Sequence, residues 1–409
     1  MSNILDYLDW RGDILFSERP FNEVDNLILS ELAYVNMKGL VPSEDSSSIT
    51  LSELFKKYRE SKDKLVIPMN DPEPLLERAA ASDRFRNVRL MLLREKTDID
   101  EQLQFCAVSF IIGDGSCYIS FRGTDATIVG WREDCNFSFL SQTPGQLAAA
   151  DYVNEAASLT DCSLRVGGHS KGGNFAVYGA AFCNEKIRDK RITEIYCNDG
   201  PGFNDNVINS EQYKAALPKI RKIIPESSLV GLLLSGAEEK TIIKSSAKGI
   251  YQHNPFSWCV TGCCFEKADG LSAESTLMNE ALSKWIGELD DSDRKLFVTS
   301  VFDSIEASGA LTLNDINKNK LMSYNAMMNA AKEISAERRI KLFNMLRSLT
   351  EISGEVFFNE ARKKFEQIKE AGILPFIPES KEKSVSENSG DAMRYADSGF
   401  GEMSESSRE

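Results

Sequence analysis

The sequence predicts an α/β fold: a mostly parallel sheet flanked by helices, with a helical region before it in the chain and another after it. Three observations carry this expectation. Between about residues 103 and 268, apolar runs of strand length alternate with helix-length segments, the pattern of a sheet covered on both faces. On either side of that stretch, apolar residues recur every three or four positions instead, which is helical spacing. The third observation is Gly168-His169-Ser170-Lys171-Gly172, set between the apolar run LRV and a glycine-rich helix start.

Taken in order, residues 1–102 are expected to form a helical N-terminal region packed on the core. PFNEVDNLILSELAYVNM, from Pro20, carries helical spacing, PSEDSSSIT reads as a loop, and PLLERAAASDRFRNVRLML reads as further amphipathic helix. The core is expected over 103–268. LQFCAVSFII and SCYISFRG, joined by Gly113-Asp114-Gly115, read as a hairpin. PGQLAAADYVNEAASL is a helix, SLRVGG a buried strand, SKGGNFAVYGAAFCNEK a helix, ITEIYCND a strand and SEQYKAAL a helix. RKIIPE, LVGLLLSG and TIIKSS are expected to complete the sheet. Residues 269–375 read as a helical C-terminal region. Its stripe KLMSYNAMMNAAKEISAERRIKLFNMLRSL suits core packing, with a lid or a protein partner as the alternatives. Residues 376–409 are serine-rich and poor in apolar residues, so a disordered acidic tail is expected.

Charge and cysteine content exclude several classes of function. A net charge of −14 argues against nucleic acid or an anionic membrane surface as a partner, because both require clustered Lys and Arg. No segment reaches the roughly 20 apolar residues that span a bilayer. The opening MSNILDYLDWRGDILF has no basic segment ahead of an apolar one, so no export signal is read from it. The nine cysteines are odd in number and fit no disulfide framework. They read as reduced thiols of a cytoplasmic protein. Cys259, Cys263 and Cys264 could suggest zinc, but no CxxC pair accompanies them and only one histidine is near. Neither a metal nor an organic cofactor is expected.

The G-x-S-x-G pattern alone is weak evidence in a chain of 409 residues. Its strand–turn–helix setting is stronger, because that is where a serine nucleophile stands on a strained turn. A serine hydroxyl needs a base, and the chain holds two histidines. His169 adjoins Ser170 and is expected to leave the turn in another direction. That leaves His253, in YQHNPFSW, which lies downstream of the last expected strand, where a base in the order Ser…acid…His falls. The acid is one of two carboxylates at expected strand ends, Asp199 or Glu226. Asp199 is preferred for its short side chain ahead of Gly200-Pro201-Gly202. An oxyanion hole would take backbone N–H groups from Lys171 and from Thr124 in FRGTD, with Arg122, Asp125 and Asp134 bracing that loop.

The run YISFRGTD…GWREDCNFSF…VGGHSKGG resembles the class 3 lipase branch of the α/β-hydrolases. That branch pairs an F-R-G-T/S loop and a W-x-x-D motif with a G-H-S-x-G elbow, and Trp131-Arg132-Glu133-Asp134 matches the spacing. NDGPGFN, IPESSLVGLLL and QHNPFSW are similar to an uncharacterised bacterial family of the same clan. The resemblance spans about residues 100–265. It implies Ser170 as nucleophile, His253 as base, Thr124 at the oxyanion and an acyl or lipid-like ester as substrate. In one place the sequence departs from the pattern: where class 3 lipases carry their acid in D-x-V-P, this chain has Ser228-Leu229-Val230-Gly231. Two functions are therefore expected: a serine esterase or lipase, or a hydrolase-like scaffold that binds an acyl ligand or partner without turnover.

Overall fold

The computed structural model describes residues 1–42, 47–60 and 72–312, with isolated positions at 315, 340, 341, 344, 345 and 348. The amphipathic stripe over 320–349 lies almost wholly outside the described residues, and the serine-rich stretch 376–409 lies outside them entirely.

Among the described residues, eight strands form one sheet in chain order: β1 (Ile49–Thr50), β2 (Arg89–Asp98), β3 (Leu103–Ile111), β4 (Cys117–Phe121), β5 (Leu164–His169), β6 (Ile192–Asn198), β7 (Ile220–Pro225) and β8 (Lys240–Ile243). The pairs from β1 to β4 are antiparallel, and those from β4 to β8 are parallel. Each parallel step needs a crossover. Before the sheet's main run come α1 (Ile4–Arg11), α2 (Glu23–Leu32), α3 (Leu51–Glu60) and α4 (Glu73–Ala81). The crossovers use α5 (Ile128–Asn136) and α6 (Pro144–Ser158), then α7 (Lys171–Phe182) and α8 (Glu185–Lys190), then α9 (Asp205–Ile208) and α10 (Glu211–Ala216). After the sheet come α11 (Ala273–Glu288) and α12 (Asp291–Glu306).

Alternation along the strands divides the core in two. On β4, Tyr118 points into a cluster with Ile4, Leu27, Leu76 and Phe110. Ile119 and Phe121 point into the opposite cluster with Val153, Val166, Phe175 and Tyr213. The N-terminal helices, with Trp258, Val260 and Phe265, thus cover one face of the sheet, and α6, α7 and α10 cover the other. This sheet with helices on both faces is α/β-hydrolase-like. Local signals agree with the packing: Pro144 opens α6 at its first position, and Thr143 and Gln146 form a capping box there.

The structure differs from expectation in two places. RNVRLML is not helix; residues 89–98 form β2, paired with β3 through a bulge at Leu92, whose φ is 56°. The sheet therefore begins ahead of the expected boundary at 102. LVGLLLSG contributes no strand; it is a 3-10 turn over Val230–Leu232 followed by loop. Its apolar residues Val230, Leu233 and Leu234 line a cavity instead. The His169 side chain leaves the turn in another direction from Ser170, toward Glu31 and Tyr34, and its ring lies 4.7 Å from that of His253.

Two helices after the sheet fold back over its C-terminal side. Arg132 on α5 places one guanidinium nitrogen 2.9 Å from both carboxylate oxygens of Glu306 on α12, and another 3.0 Å from Asp303. The Ile128 N–H donates to Leu311. No described helix is long and apolar enough to cross a membrane.

Candidate active site

β5 ends at His169, and α7 begins at Lys171. Ser170 between them has φ 58° and ψ −129°, a conformation that side chains rarely adopt. It is held because the strand and helix approach too closely for alternatives. A Cβ on Gly168 would strike the Gly172 backbone, and one on Gly172 would strike the Phe121 carbonyl. The Ser170 N–H is fixed by the Asn198 carbonyl of β6 at 2.9 Å.

His253 closes a 3-10 turn, Gly249–His253. The neighbouring Gln252 anchors that turn: its side-chain oxygen accepts from Ser227 N–H at 2.8 Å, and its carbonyl accepts from the Trp258 indole at 2.9 Å. The His253 Nε2 stands 3.0 Å from Ser170 Oγ, and its Nδ1 stands 2.7 Å from Asp199 Oδ2.

Asp199 follows β6 with φ 47°, and its side chain is fully buried. Its other oxygen accepts from the Ser228 hydroxyl and, at 3.1 Å, from the Gly231 N–H. A Cβ at Gly231 would collide with that carboxylate. Ser228 stands where the resembled D-x-V-P motif carries its acid. Here it donates to the Asp199 carboxylate, which follows the preceding strand. Of the two carboxylates considered from sequence, Asp199 is the one brought to His253. Glu226 meets its neighbours through its backbone, its N–H donating to Ile243 and its carbonyl accepting from Ser272.

Thr124 and Lys171 both border the cavity at Ser170. Lys171 is the first residue of α7, so its N–H has no acceptor within the helix. Gly123 lies against Ser170 and gives its N–H to the Tyr34 hydroxyl at 3.1 Å. The bracing expected of the loop has specific partners. Thr124 Oγ1 donates to Asp134 at 2.5 Å, Arg122 pairs with Glu95 at 2.9 Å, and Asp125 accepts from the Thr127 N–H and hydroxyl. Burial pushes the Asp134 carboxyl up to about 6, against the pull of the Lys171 ammonium.

The cavity measures ≈ 340 Å³. Its walls are Trp131 on α5, Val230, Leu233 and Leu234 from the loop after β7, and Trp285, Leu289, Phe297 and Val298 from α11, α12 and the turn joining them. Two cations reach it, and both have partners. Lys171 Nζ lies 2.6 Å from Gln104 Oε1 and 3.3 Å from Glu133. Arg294 donates to the carbonyls of Ile286 and Ser138 at 2.8 and 2.9 Å.

Sequence reasoning passed over the N-terminal contribution to this site. Glu31 and Tyr34 sit against His169. The available signal was a carboxylate inside the mostly apolar stretch LILSELAYV. Lys171 was valued for its backbone alone, although its side chain ties the elbow to α5 through Glu133. Cys259 is buried while Cys263 and Cys264 are exposed, and the described residues contain no group of three or more His, Cys, Asp or Glu able to hold a metal ion.

No curated protein matches the chain. Among solved structures it is similar to a fungal lipase in complex with an inhibitor, at 14% identity over 67% of this chain and 92% of that one, with a TM-score of 0.36. It is also similar to the propeptide complex of Rhizomucor miehei lipase, at 16% identity over 56% and 74%, with a TM-score of 0.34. A third is M37 lipase, at 14% identity over 51% and 68%, with a TM-score of 0.31. The sequence profile of the Mbeg1-like family matches residues 79–303, more than half of the chain, so this protein belongs to the Mbeg1-like family.

Proposed function

We propose that the protein is a serine hydrolase of the esterase or lipase type, cleaving a carboxylic ester with an acyl or lipid-like acid part. Ser170 Oγ attacks the ester carbonyl while His253 Nε2 takes its proton. The Thr124 and Lys171 N–H groups receive the oxyanion, aided by the N-terminus of α7. Asp199 keeps the proton of His253 on Nδ1 and stabilises the imidazolium. Collapse expels the alcohol, which takes the proton back from Nε2. Water then attacks the acyl-enzyme with His253 again as base, releasing the acid and restoring Ser170.

The observation that carries this reading is the continuous chain from Ser170 Oγ through His253 to Asp199, at 3.0 and 2.7 Å. It is supported by the strained elbow and by the apolar cavity at its side, whose two cations are occupied by protein partners and leave the walls suited to an uncharged acyl chain.

A fluorophosphonate probe tests it. The expected result is covalent labelling of the wild type and none of Ser170→Ala, with loss of turnover on p-nitrophenyl acyl esters. A folded wild type that takes up no probe and turns over no ester overturns the reading.

A further inference from the structure

The chain has two histidines, and they touch. The His169 side chain is 4% exposed, and its ring lies 4.7 Å from the His253 ring at 35°. Its Nε2 is 3.0 Å from the backbone carbonyl of His253. A carbonyl only accepts, so that nitrogen carries the proton. The other nitrogen, Nδ1, then presents a lone pair and needs a donor. Facing it are Glu31 Oε1 at 3.2 Å and the Tyr34 hydroxyl at 3.4 Å, both from the N-terminal helical layer. The Tyr34 hydroxyl also lies 3.3 Å from the His169 carbonyl, to which it donates. Trp258 packs against the ring in a T-shaped contact, with centroids 6.3 Å apart.

We propose that Glu31 and His169 are positioning residues for His253. A protonated Glu31 carboxyl donates to Nδ1 of His169, which fixes the Nε2–H form of that ring. The Nε2–H in turn grips the His253 carbonyl and holds the imidazole over Ser170. The inference rests on the serine-hydrolase reading for its purpose, though not for its chemistry.

Two further observations fit. Glu31 is fully buried, and burial pushes its carboxyl well above the usual range; burial, aided by His253, pushes His169 well below its ordinary value. Both directions leave the proton on Glu31 and the His169 ring uncharged. A neutral ring is also what His253 requires. It must become positive during the reaction, and a second positive imidazole 4.7 Å away would oppose that charge. The geometry therefore braces the base with an uncharged group.

Because the protein has two imidazoles, ¹⁵N-histidine NMR on the full chain reads both. The expected spectrum has one ring, His169, neutral and protonated on Nε2 from pH 5 to 9. A His169 that titrates in that range, or that is protonated on Nδ1, overturns the proposal. This readout needs no activity, so it separates failure of the brace from failure of the hydrolase assignment, which the probe reports. Among variants, His169→Phe is expected to slow labelling by fluorophosphonate about 10²-fold, since a displacement of roughly 1 Å in a reacting group can cost that much. His169→Gln, whose amide can still donate to the His253 carbonyl, should recover at least tenfold of that loss. Glu31→Gln keeps a donor toward Nδ1 and should preserve the Nε2–H form, whereas Glu31→Leu should release it. Equal labelling rates for His169→Phe and His169→Gln, both folded, also overturn the proposal.

Discussion

Asp199→Asn is the sharpest perturbation of the site. Three donors converge on this one buried carboxylate: His253 Nδ1–H, the Ser228 hydroxyl and the Gly231 N–H. An amide keeps one accepting oxygen and presents two N–H donors. If that oxygen stays with Ser228 and Gly231, the NH₂ faces His253, whose proton must then move to Nε2. The nitrogen aimed at Ser170 is no longer a base. If the amide turns over, His253 keeps the working form, but the NH₂ meets the Gly231 N–H, which cannot reverse. A buried donor left unsatisfied costs about 1–3 kcal/mol, or roughly 5- to 150-fold in the population of the working form. Loss of the negative charge that stabilises the imidazolium adds to this, and replacing a triad acid costs up to about 10⁴ in kcat. The expected loss is therefore between about 10² and 10⁴, measured as kcat on p-nitrophenyl acyl esters, with thermal melts to show that the variant folds. Glu226→Gln is the control and should stay within about twofold. A folded Asp199→Asn that retains more than a tenth of wild-type kcat refutes the reasoning.

Two other outcomes follow from the cavity. Asp134 is raised from 3.8 to about 6 in the folded protein, so its neutral form is the one the fold favours. Its contribution to stability is fully present below about 3.8 and is lost as pH rises through about 6. The Asp134→Asn variant should thus gain on the wild type by up to about 3 kcal/mol between pH 4 and 7, read by denaturant titration at each pH; a difference independent of pH contradicts this. Leu289 is nearly buried and lines the cavity, and Leu289→Ala should shift the preferred ester toward longer acyl chains. Each extra methylene accommodated is worth about 0.8 kcal/mol, or roughly fourfold in kcat/KM; an unchanged chain-length profile would show that this wall does not touch the acyl group.

The elbow was legible in the sequence because its constraint is local. Glycines at 168 and 172 are needed where β5, α7 and the end of β4 crowd together, and they stand in the sequence as a pattern. His253 was legible through scarcity, as one of two histidines. Asp199 could be ranked ahead of Glu226 by the stiffness of the turn behind it. The hydrogen bond from Ser228, which explains the departure from the resembled motif, could not be read, because it joins loops after two different strands. β2 was missed because a continuous LMLL followed by REKTD has no period-two alternation; the strand bulges at Leu92 and leaves the core partway along. LVGLLLSG was read as strand because apolar runs are ambiguous between a sheet interior and a pocket wall. Glu31 was overlooked because the partner that gives it meaning, His169, lies far away in sequence and meets it only across the packed face of the sheet.

The walls of the cavity come from two distant parts of the chain. Ser170, Asp199, His253 and the Thr124 loop all precede residue 260, while Trp285, Leu289, Phe297 and Val298 arrive later, on the helical hairpin clasped to α5 by Arg132. The later stretch thereby completes a chamber whose other walls, Trp131, Val230, Leu233 and Leu234, come from the earlier one. Substitutions at Trp285, Leu289, Phe297 and Val298 would retune which molecules gain admission, whereas Ser275 in the same stretch donates to the carbonyl of Ser228 and so supports the Asp199 carboxylate. Deletion of that hairpin would keep the sheet intact but turn a sheltered chamber into an open trough, bathing the serine in bulk solvent.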